Sequence, residues 1–516
     1  MLPDWLTPLP DAETMRAVDR WAIDERGVPS LDLMERAGAA VARTVERIAP
    51  DGPVAVVCGK GNNGGDGLVV ARLLRDAGRQ VAVLCVAPVQ EFSGDARVNL
   101  DRLRGDRPQL LANAGQDGLD QTVARTIGAA AVLVDALLGT GFEGEPRGVT
   151  VEAIEAINAS QAKVVSVDVP SGVAASTGVV SGRAVRAAAT VTFHAAKPGL
   201  WIRPGKAHAG ELETVDIGIP RGAPEEASIG LVQASVLDLL PRRQASSTKF
   251  TSGHVLIVGG SRGLTGAPRM AAHASMRTGA GYVTACVPAS LQVILASAGP
   301  PEMMSRGLAD EDGALTGEGL QSVLEETERG GALALGPGLG RSDGAVAFAR
   351  ALAKAASVAL VLDADGLNAH AGRLGELTER QAPTVLTPHA GELGRLLELD
   401  SSEIERERLR HVRAAAALSG SVVLLKGDDS LIADPSGRIA VSPGGVPALA
   451  TAGTGDVLTG VIAALLAQGM EAFVAAAAGV WLHAAAGKEA ARRQGAPEGV
   501  VASDVIDALP AARVRS

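Results

Sequence analysis

VAVVCGKGNNGGDGLVVARLLRDAG, residues 54–78, joins an apolar run to a glycine-rich turn and then to a segment with the spacing of an amphipathic helix. Uninterrupted apolar residues over 54–58 mark a strand covered on both faces, so the stretch reads as strand, loop and helix N-terminus. The loop does not end in the G-K-[ST] of a Walker A loop. Gly59, Gly61 and Gly64 fall at dinucleotide-fingerprint spacing, but no acidic residue follows about 20 positions on to read a ribose 2′ group. We therefore read it as neither of the two common phosphate loops.

The same alternation extends along the first half of the chain in VAVLCV (81–86), AAVLVDALLG (130–139), KVVSVDVPSG (163–172), ATVTFHA (189–195) and ELETVDIGI (211–219). Apolar runs separated by helical segments predict parallel strands, hence a doubly wound, Rossmann-like α/β sheet. The pattern weakens between IPRGAPEEA (219–227) and PRRQASSTKF (241–250), which places a domain boundary near 220–235. A second α/β series follows in HVLIVGGS (254–261), GYVTACVP (281–288), GALALGPGLG (331–340), VALVLDADGLN (358–368), TVLTPHAGEL (384–393) and SVVLLKGDDSLIA (421–433). Two domains, 1–225 and 230–516, with separable cores are expected.

Composition agrees: 516 residues with 47% hydrophobic content supply two cores. A net charge of -10 and only 6 Phe, 4 Trp and 1 Tyr argue against nucleic acid as a partner, since neither a basic face nor stacking platforms are at hand. Cys58, Cys85 and Cys286 form no C-x-x-C pair and fit a reducing compartment. With no signal-peptide pattern and no run of about 18 apolar residues, a cytoplasmic protein without a membrane partner is expected.

In doubly wound sheets ligands bind beyond the carboxyl ends of the strands, where a helix N-terminus offers unpaired N–H groups. Asn62 and Asn63 bring amide oxygens suited to a monovalent cation or a sugar hydroxyl, whereas Asp66 is also compatible with a helix cap. Asp135 in VDALLGTGFEGEPRG and Asp168 in VDVPSG close two further strands. Each alone is compatible with a turn cap; three such loops at one sheet edge make a site.

GKGNNGGDG, DALLGTG and DVPSG, in this order, resemble the N-terminal domain of bifunctional NAD(P)H-hydrate repair enzymes over nearly all of residues 10–220. The resemblance implies an epimerase that interconverts the R and S forms of NAD(P)H hydrate (NADHX and NADPHX), the water adduct at C6 of the nicotinamide ring. It implies that Asn62, Asn63, Gly64, Gly65 and Asp66, the loop of Gly139, Thr140, Gly141, Phe142, Glu143, Gly144 and Glu145, and Asp168 bind the hydrate. Asn63, Asp135 and Ser171 would hold a potassium ion (K+). Epimerisation needs a group that accepts and returns a proton, and Asp168, at a strand end beside Ser171, is the candidate acid/base.

The second half carries TAGTGDVLTGVIAALL (451–466), where Gly453 and Gly455 leave backbone N–H groups free at a helix start and Asp456 sits in the first turn. This resembles the anion hole and catalytic aspartate of the ribokinase-like fold. GGSRGLTGAPRMAA (259–272), GPGLG (336–340), LTPHAGEL (386–393) and LLKGDDSLI (424–432) narrow the resemblance to ADP- or ATP-dependent NAD(P)H-hydrate dehydratase over 230–510. It implies that Ala267, Gly338, His389 and Asp456 contact the hydrate, and that Lys426, Gly427, Asp428, Asp429, Ser430 and Gly455 contact the nucleotide. Mg2+ would assist. Asp363 and Asp365 in LDADGLN suit either magnesium contacts or a turn cap.

The implied chemistry is phosphorylation of the C6 hydroxyl, with Asp456 as base, followed by loss of phosphate. The rival reading is a vitamin-type kinase of the ribokinase-like fold fused to a non-catalytic dinucleotide-binding domain, which leaves the LTPHAGEL histidine without a role. ADP is expected as co-substrate, with ATP the alternative, and a homo-oligomer is expected.

Overall fold

The computed structural model describes residues 2–111, 119–223 and 227–514. The chain separates into one unit spanning Pro8–Ile229 and another that joins Pro3–Thr7 to Gly230–Ser516. The expected domain end at residue 225 lies outside the described residues. Among the described residues no helix is long and apolar enough to cross a membrane.

The chain's first strand, β1 (Leu6–Pro8), pairs in the second sheet. The first unit is built on β2 (Val54–Cys58), β3 (Val81–Cys85), β4 (Gln109–Leu110), β5 (Val132–Ala136), β6 (Lys163–Val167), β7 (Ala189–Phe193) and β8 (Glu211–Val215). They lie in the order β4-β3-β2-β5-β6-β7-β8, with every pair parallel. Side chains alternate as a doubly covered sheet requires: Val54, Val56 and Cys58 enter the core on one face, Ala55 and Val57 the core on the other. The chain winds outward from β2 in one direction and from β5 in the other. The loops leaving β2 and β5 therefore part, and the crevice for a ligand opens there.

The second unit adds β9 (Ile229–Val232), β10 (His254–Val258), β11 (Tyr282–Pro288), β12 (Met304–Leu308), the hairpin β13 (Asp310–Glu311) with β14 (Ala314–Leu315), β15 (Ala332–Leu335), β16 (Ala359–Leu362), β17 (Thr384–Leu386), β18 (Val422–Leu425), β19 (Leu431–Ala433) and β20 (Ile439–Val441). Its sheet runs β1-β9-β20-β19-β18-β17-β16-β15-β10-β11-β12. From β12 to β18 all pairs are parallel, and β18, β19 and β20 are antiparallel. Winding reverses between β10 and β15, repeating the logic of the first unit.

Two elements depart from the sequence expectation. SVVLLKGDDSLIA, read as one member of the parallel series, folds back on itself as β18 and β19. The turn at 426–430 is closed by Ser430 Oγ, which donates to the Gly427 carbonyl at 2.8 Å and accepts from the Gly427 N–H at 3.2 Å. The second departure is β1, in a segment assigned to the first domain from sequence. Gln233 N–H donates to the Trp5 carbonyl at 2.9 Å, and the buried Trp5 ring lies 5.8 Å from that of Phe473.

A fragment beginning at residue 230 therefore lacks a strand of its own sheet. We expect it to be about 3 kcal/mol less stable than one with residues 1–9 joined ahead of residue 229 by a flexible linker, a loss typical of a buried large aromatic. Urea midpoints of the two fragments check this; equal midpoints would remove β1 from the folding unit.

Candidate functional sites

At the first reversal point, the loops after β2, β5 and β6 enclose a cleft of about 910 Å3. Of the residues expected there, Asn62, Asn63, Asp66, Gly139, Thr140, Gly141, Phe142 and Asp168 line it. Gly64 and Gly65 do not. A Cβ on Gly64 would lie 1.8 Å from the Gly59 carbonyl oxygen, and one on Gly65 would lie 2.8 Å from Met34 Sδ, so both are glycine to let the helix Asn62–Asp76 start tightly against its surroundings. Glu143, Gly144 and Glu145 also fall outside the lining, with Glu145 packed against Gly182.

Asp168 sits at φ +64°, where Val169 N–H bonds the Val167 carbonyl at 2.8 Å. His194, past the end of neighbouring β7, repeats the arrangement, with φ +63° and an Ala195-to-Phe193 bond of 2.7 Å. Such turns are strained in non-glycine residues and cluster where a side chain must be aimed. Asp168 accepts from Lys197 Nζ at 2.5 Å, Thr192 Oγ1 at 3.0 Å and Thr140 Oγ1. Lys197 is 1% exposed and also donates to Thr192 Oγ1 and the Phe193 carbonyl. Burial alone would raise the Asp168 carboxyl; the Lys197 charge and these hydrogen bonds outweigh it and hold the group below the usual carboxylate range. The sequence reading missed Lys197, because HAAKPGLW does not separate a buried lysine from a solvated one.

Asp135 is fully buried and accepts from Ser166 Oγ at 2.8 Å, Ser171 N–H at 2.9 Å and Ser171 Oγ. Burial pushes its carboxyl up, against those bonds. Asn63 Nδ2 donates to the Leu138 carbonyl at 2.9 Å, which leaves Asn63 Oδ1 buried without a partner. Ser171 Oγ lies 3.3 Å from that same carbonyl. The three residues expected to hold potassium are thus brought together, and a buried carboxylate beside an orphaned amide oxygen is an all-oxygen set suited to a monovalent cation.

At the second reversal point, a Cβ on Gly338 would lie 3.2 Å from Ala267 Cβ, so these two expected residues adjoin across the loops after β10 and β15. The helix Thr454–Ala467 starts from Gly453 at φ +89° and carries Asp456 in its first turn. Gly455 abuts Lys426, since a Cβ there would be 3.8 Å from Lys426 Nζ. Lys426 Nζ lies 2.8 Å from Asp363 Oδ1 and 3.7 Å from Glu392 Oε2, and Thr459 Oγ1 donates to Asp363 Oδ2 at 2.7 Å. Burial, then the like charge of Asp363, push Asp456 up to about 7, with Lys426 opposing. Burial alone would raise Asp363, but Lys426 holds it below its ordinary value.

The remaining expected residues divide. His389 Nδ1 accepts from Gly391 N–H at 3.0 Å and Glu392 N–H at 3.3 Å, while Glu392 Oε2 accepts from His389 N–H, so the histidine caps the helix Ala390–Leu397. Burial lowers its imidazole, consistent with an accepting, neutral ring. Asp429 is buried against Arg408 at 3.0 Å, Ser430 closes its own turn with Gly427, and Asp428 packs on Gly445. Within LDADGLN, Asp363 joins the site, whereas Asp365 accepts from Gly340 N–H, Arg341 and Asn368 as a loop cap. Thr459 and Glu392 were not legible as site residues.

A family model described as NAD(P)H-hydrate dehydratase matches residues 255–511, and one described as YjeF-related protein N-terminus matches 30–199. The chain is 43% identical to a bifunctional NAD(P)H-hydrate repair enzyme of Moorella thermoacetica, over 97% of this chain and 95% of that one. It is 42% identical to the like-named enzyme of Salinibacter ruber, over 98% and 95%. Among solved structures, an ADP/ATP-dependent NAD(P)H-hydrate dehydratase of Bacillus subtilis, co-crystallised with ATP and Mg2+, is 29% identical with a TM-score of 0.46, covering 54% of this chain and 94% of its own.

Proposed function

The chain belongs to the family of bifunctional NAD(P)H-hydrate repair enzymes, and from that premise we propose that its first unit epimerises NADH and NADPH hydrates while its second dehydrates the S form with ADP or ATP. The observation that carries the second activity is Asp456, a carboxyl near neutrality at a glycine-rich helix N-terminus, beside Lys426 and Asp363. Asp456 takes the proton of the C6 hydroxyl as that oxygen attacks the terminal phosphoryl group. The N–H groups of the 453–456 turn and Lys426 face the charge that develops. The lone pair of the ring nitrogen then expels phosphate, leaving NAD(P)H. Mg2+ would arrive on the nucleotide's phosphates and neutralise their charge.

Separated R and S hydrates, supplied with ADP or ATP, test the whole reading. The S form should return dihydronicotinamide absorbance directly, and the R form only after epimerisation. Absorbance returning from neither form would overturn it.

In the first unit, Asp168 moves the proton at C6, and Asn63, Asp135, Ser171 and the Leu138 carbonyl would hold a potassium ion, which would supply positive charge to this part of the cleft. Asp135→Ala should cut epimerisation at least about tenfold, and the residual rate should no longer depend on replacing potassium by choline. Dehydration of the S hydrate by the same sample should be unchanged. Retained potassium dependence would remove the ion from this part of the cleft. A homo-oligomer and a cytoplasmic location complete the proposal, to be read by light scattering and by fractionation.

A further inference from the structure

Five carboxyls line the first unit's cleft, and three of them interact with its one buried lysine. Asp168, Asp19 on the helix Ala12–Arg20 and Asp66 on the helix Asn62–Asp76 all line it, with Lys197 the one buried cation among its described residues. Lys197, Thr140 and Thr192 are spent on Asp168. Asp66 is 8% exposed, and its charged neighbours are Asp168, Asp19 and Asp95 against Lys197. Three ionised carboxylates in one desolvated wall against a single cation would repel one another, so at least one proton stays on the set. The cleft thus holds a carboxylate committed to the ionised form and a second carboxyl free to carry a proton.

Resting on the epimerase reading, we propose that Asp66 is the second proton-transfer group of that reaction, acting on the opposite face of the ring from Asp168, with Asp19 as the positioning residue that keeps the proton on Asp66. As the C6–O bond breaks, its electron pair leaves with oxygen, the Asp66 proton completes a water molecule, and the ring nitrogen lone pair forms an iminium. Water then makes the new C6–O bond from the other face and gives its proton to Asp168. One water leaves and one enters. The net change on the protein is one proton passed from Asp66 to Asp168, so the two groups exchange roles for the reverse direction, and solvent resets them.

The charges support the division. Burial first, then Asp168 and Asp19, push Asp66 well above the ordinary carboxylate range, while Lys197 opposes; Asp168 is held below that range. Asp95 on the helix Gly94–Arg102 also raises Asp66, and Arg16, Lys60 and Glu91 complete the charged lining, with Lys60 and Glu91 paired at 2.8 Å. Epimerisation should therefore fall at low pH as Asp168 gains its proton, and fall again at high pH as Asp66 loses its own.

The test uses the full chain and separated R hydrate, with the R-to-S ratio followed by chromatography across pH. Asp66→Asn is expected to lower kcat about 10²-fold, to leave KM within about threefold and to abolish the high-pH limb. Asp19→Asn should move that limb to lower pH, because it removes a negative neighbour from Asp66. Asp168→Asn should lose activity whatever the fate of Asp66. If Asp168→Asn loses activity while Asp66→Asn keeps kcat and its high-pH limb, this inference fails and the epimerase reading stands; if Asp168→Asn stays active, both fail. A loss confined to KM would make Asp66 a binding group and overturn the proposal. A urea unfolding curve of each variant reports on the folding of the first unit, and should Asp66→Asn fail to fold, Asp66→Glu decides: showing the limb supports the proposal, and lacking it overturns it.

Discussion

Asp456→Asn is expected to lower dehydration of the S hydrate by about 10² to 10⁴-fold, the range for removing a positioned general base. Asparagine keeps the volume and the hydrogen-bonding edge at the start of the helix Thr454–Ala467, so nucleotide affinity, which the proposed function assigns to the N–H groups and Lys426, should survive. The pH profile carries the sharper test. A base must be unprotonated, and burial with Asp363 places the Asp456 carboxyl at about 7, so wild-type dehydration should rise as pH increases through neutrality. The residual rate of Asp456→Asn should lack that rise. Asp363→Asn should shift it to lower pH, since it deletes the like charge that helps hold the proton on Asp456. A variant with near wild-type dehydration, or an Asp456→Asn profile that still rises through neutrality, would assign hydroxyl activation to another group.

Both sites were legible in outline for one physical reason. In a doubly wound sheet, chemistry collects where the winding reverses, and the residues there announce themselves as glycine, asparagine and aspartate at the ends of apolar runs. Asp135 and Asp168 stood out at strand ends, though each alone fitted a turn cap, and Asp456 stood out at a glycine-led helix start; their roles came from the resemblance. What the sequence could not convey is how those carboxyls are balanced. Lys197 meets Asp168 across 29 residues and Lys426 meets Asp363 across 63, and neither pairing leaves a periodicity to read. A Cβ on Gly67 of GKGNNGGDG would lie 2.6 Å from Ala136 Cβ, so part of that motif serves helix-on-sheet packing. β1 escaped for a further reason: three residues ending in a proline are too few for an alternation, and its partner strand begins more than two hundred residues later.

Removing Lys197 should produce the largest combined loss in the first unit. Its Nζ is almost wholly buried against Asp168, and Lys197→Met keeps the length of the stem while deleting the charge. Breaking a buried pair from one side leaves the other charge uncompensated, at a cost of about 3–5 kcal/mol. The pH dependence gives the sign. In the wild type the Asp168 carboxyl is depressed, so its contribution to stability is present above the unfolded-state value near 3.8 and lost as pH falls through the folded value. In Lys197→Met burial is opposed only by the Thr140 and Thr192 hydrogen bonds, the carboxyl rises, and the folded state then loses stability as pH climbs above 3.8 because Asp168 must ionise in place. The gap between wild type and variant should therefore be small in acid and widen toward pH 7, read as urea midpoints for loss of epimerase activity. Epimerisation near neutrality should fall about 10²-fold or more even where the unit is folded, because Asp168 then holds the proton it has to accept. Dehydration of the S hydrate should persist. A gap that stays constant with pH would mean that Lys197 acts only through packing of its stem, and the ionised state of Asp168 would need another source.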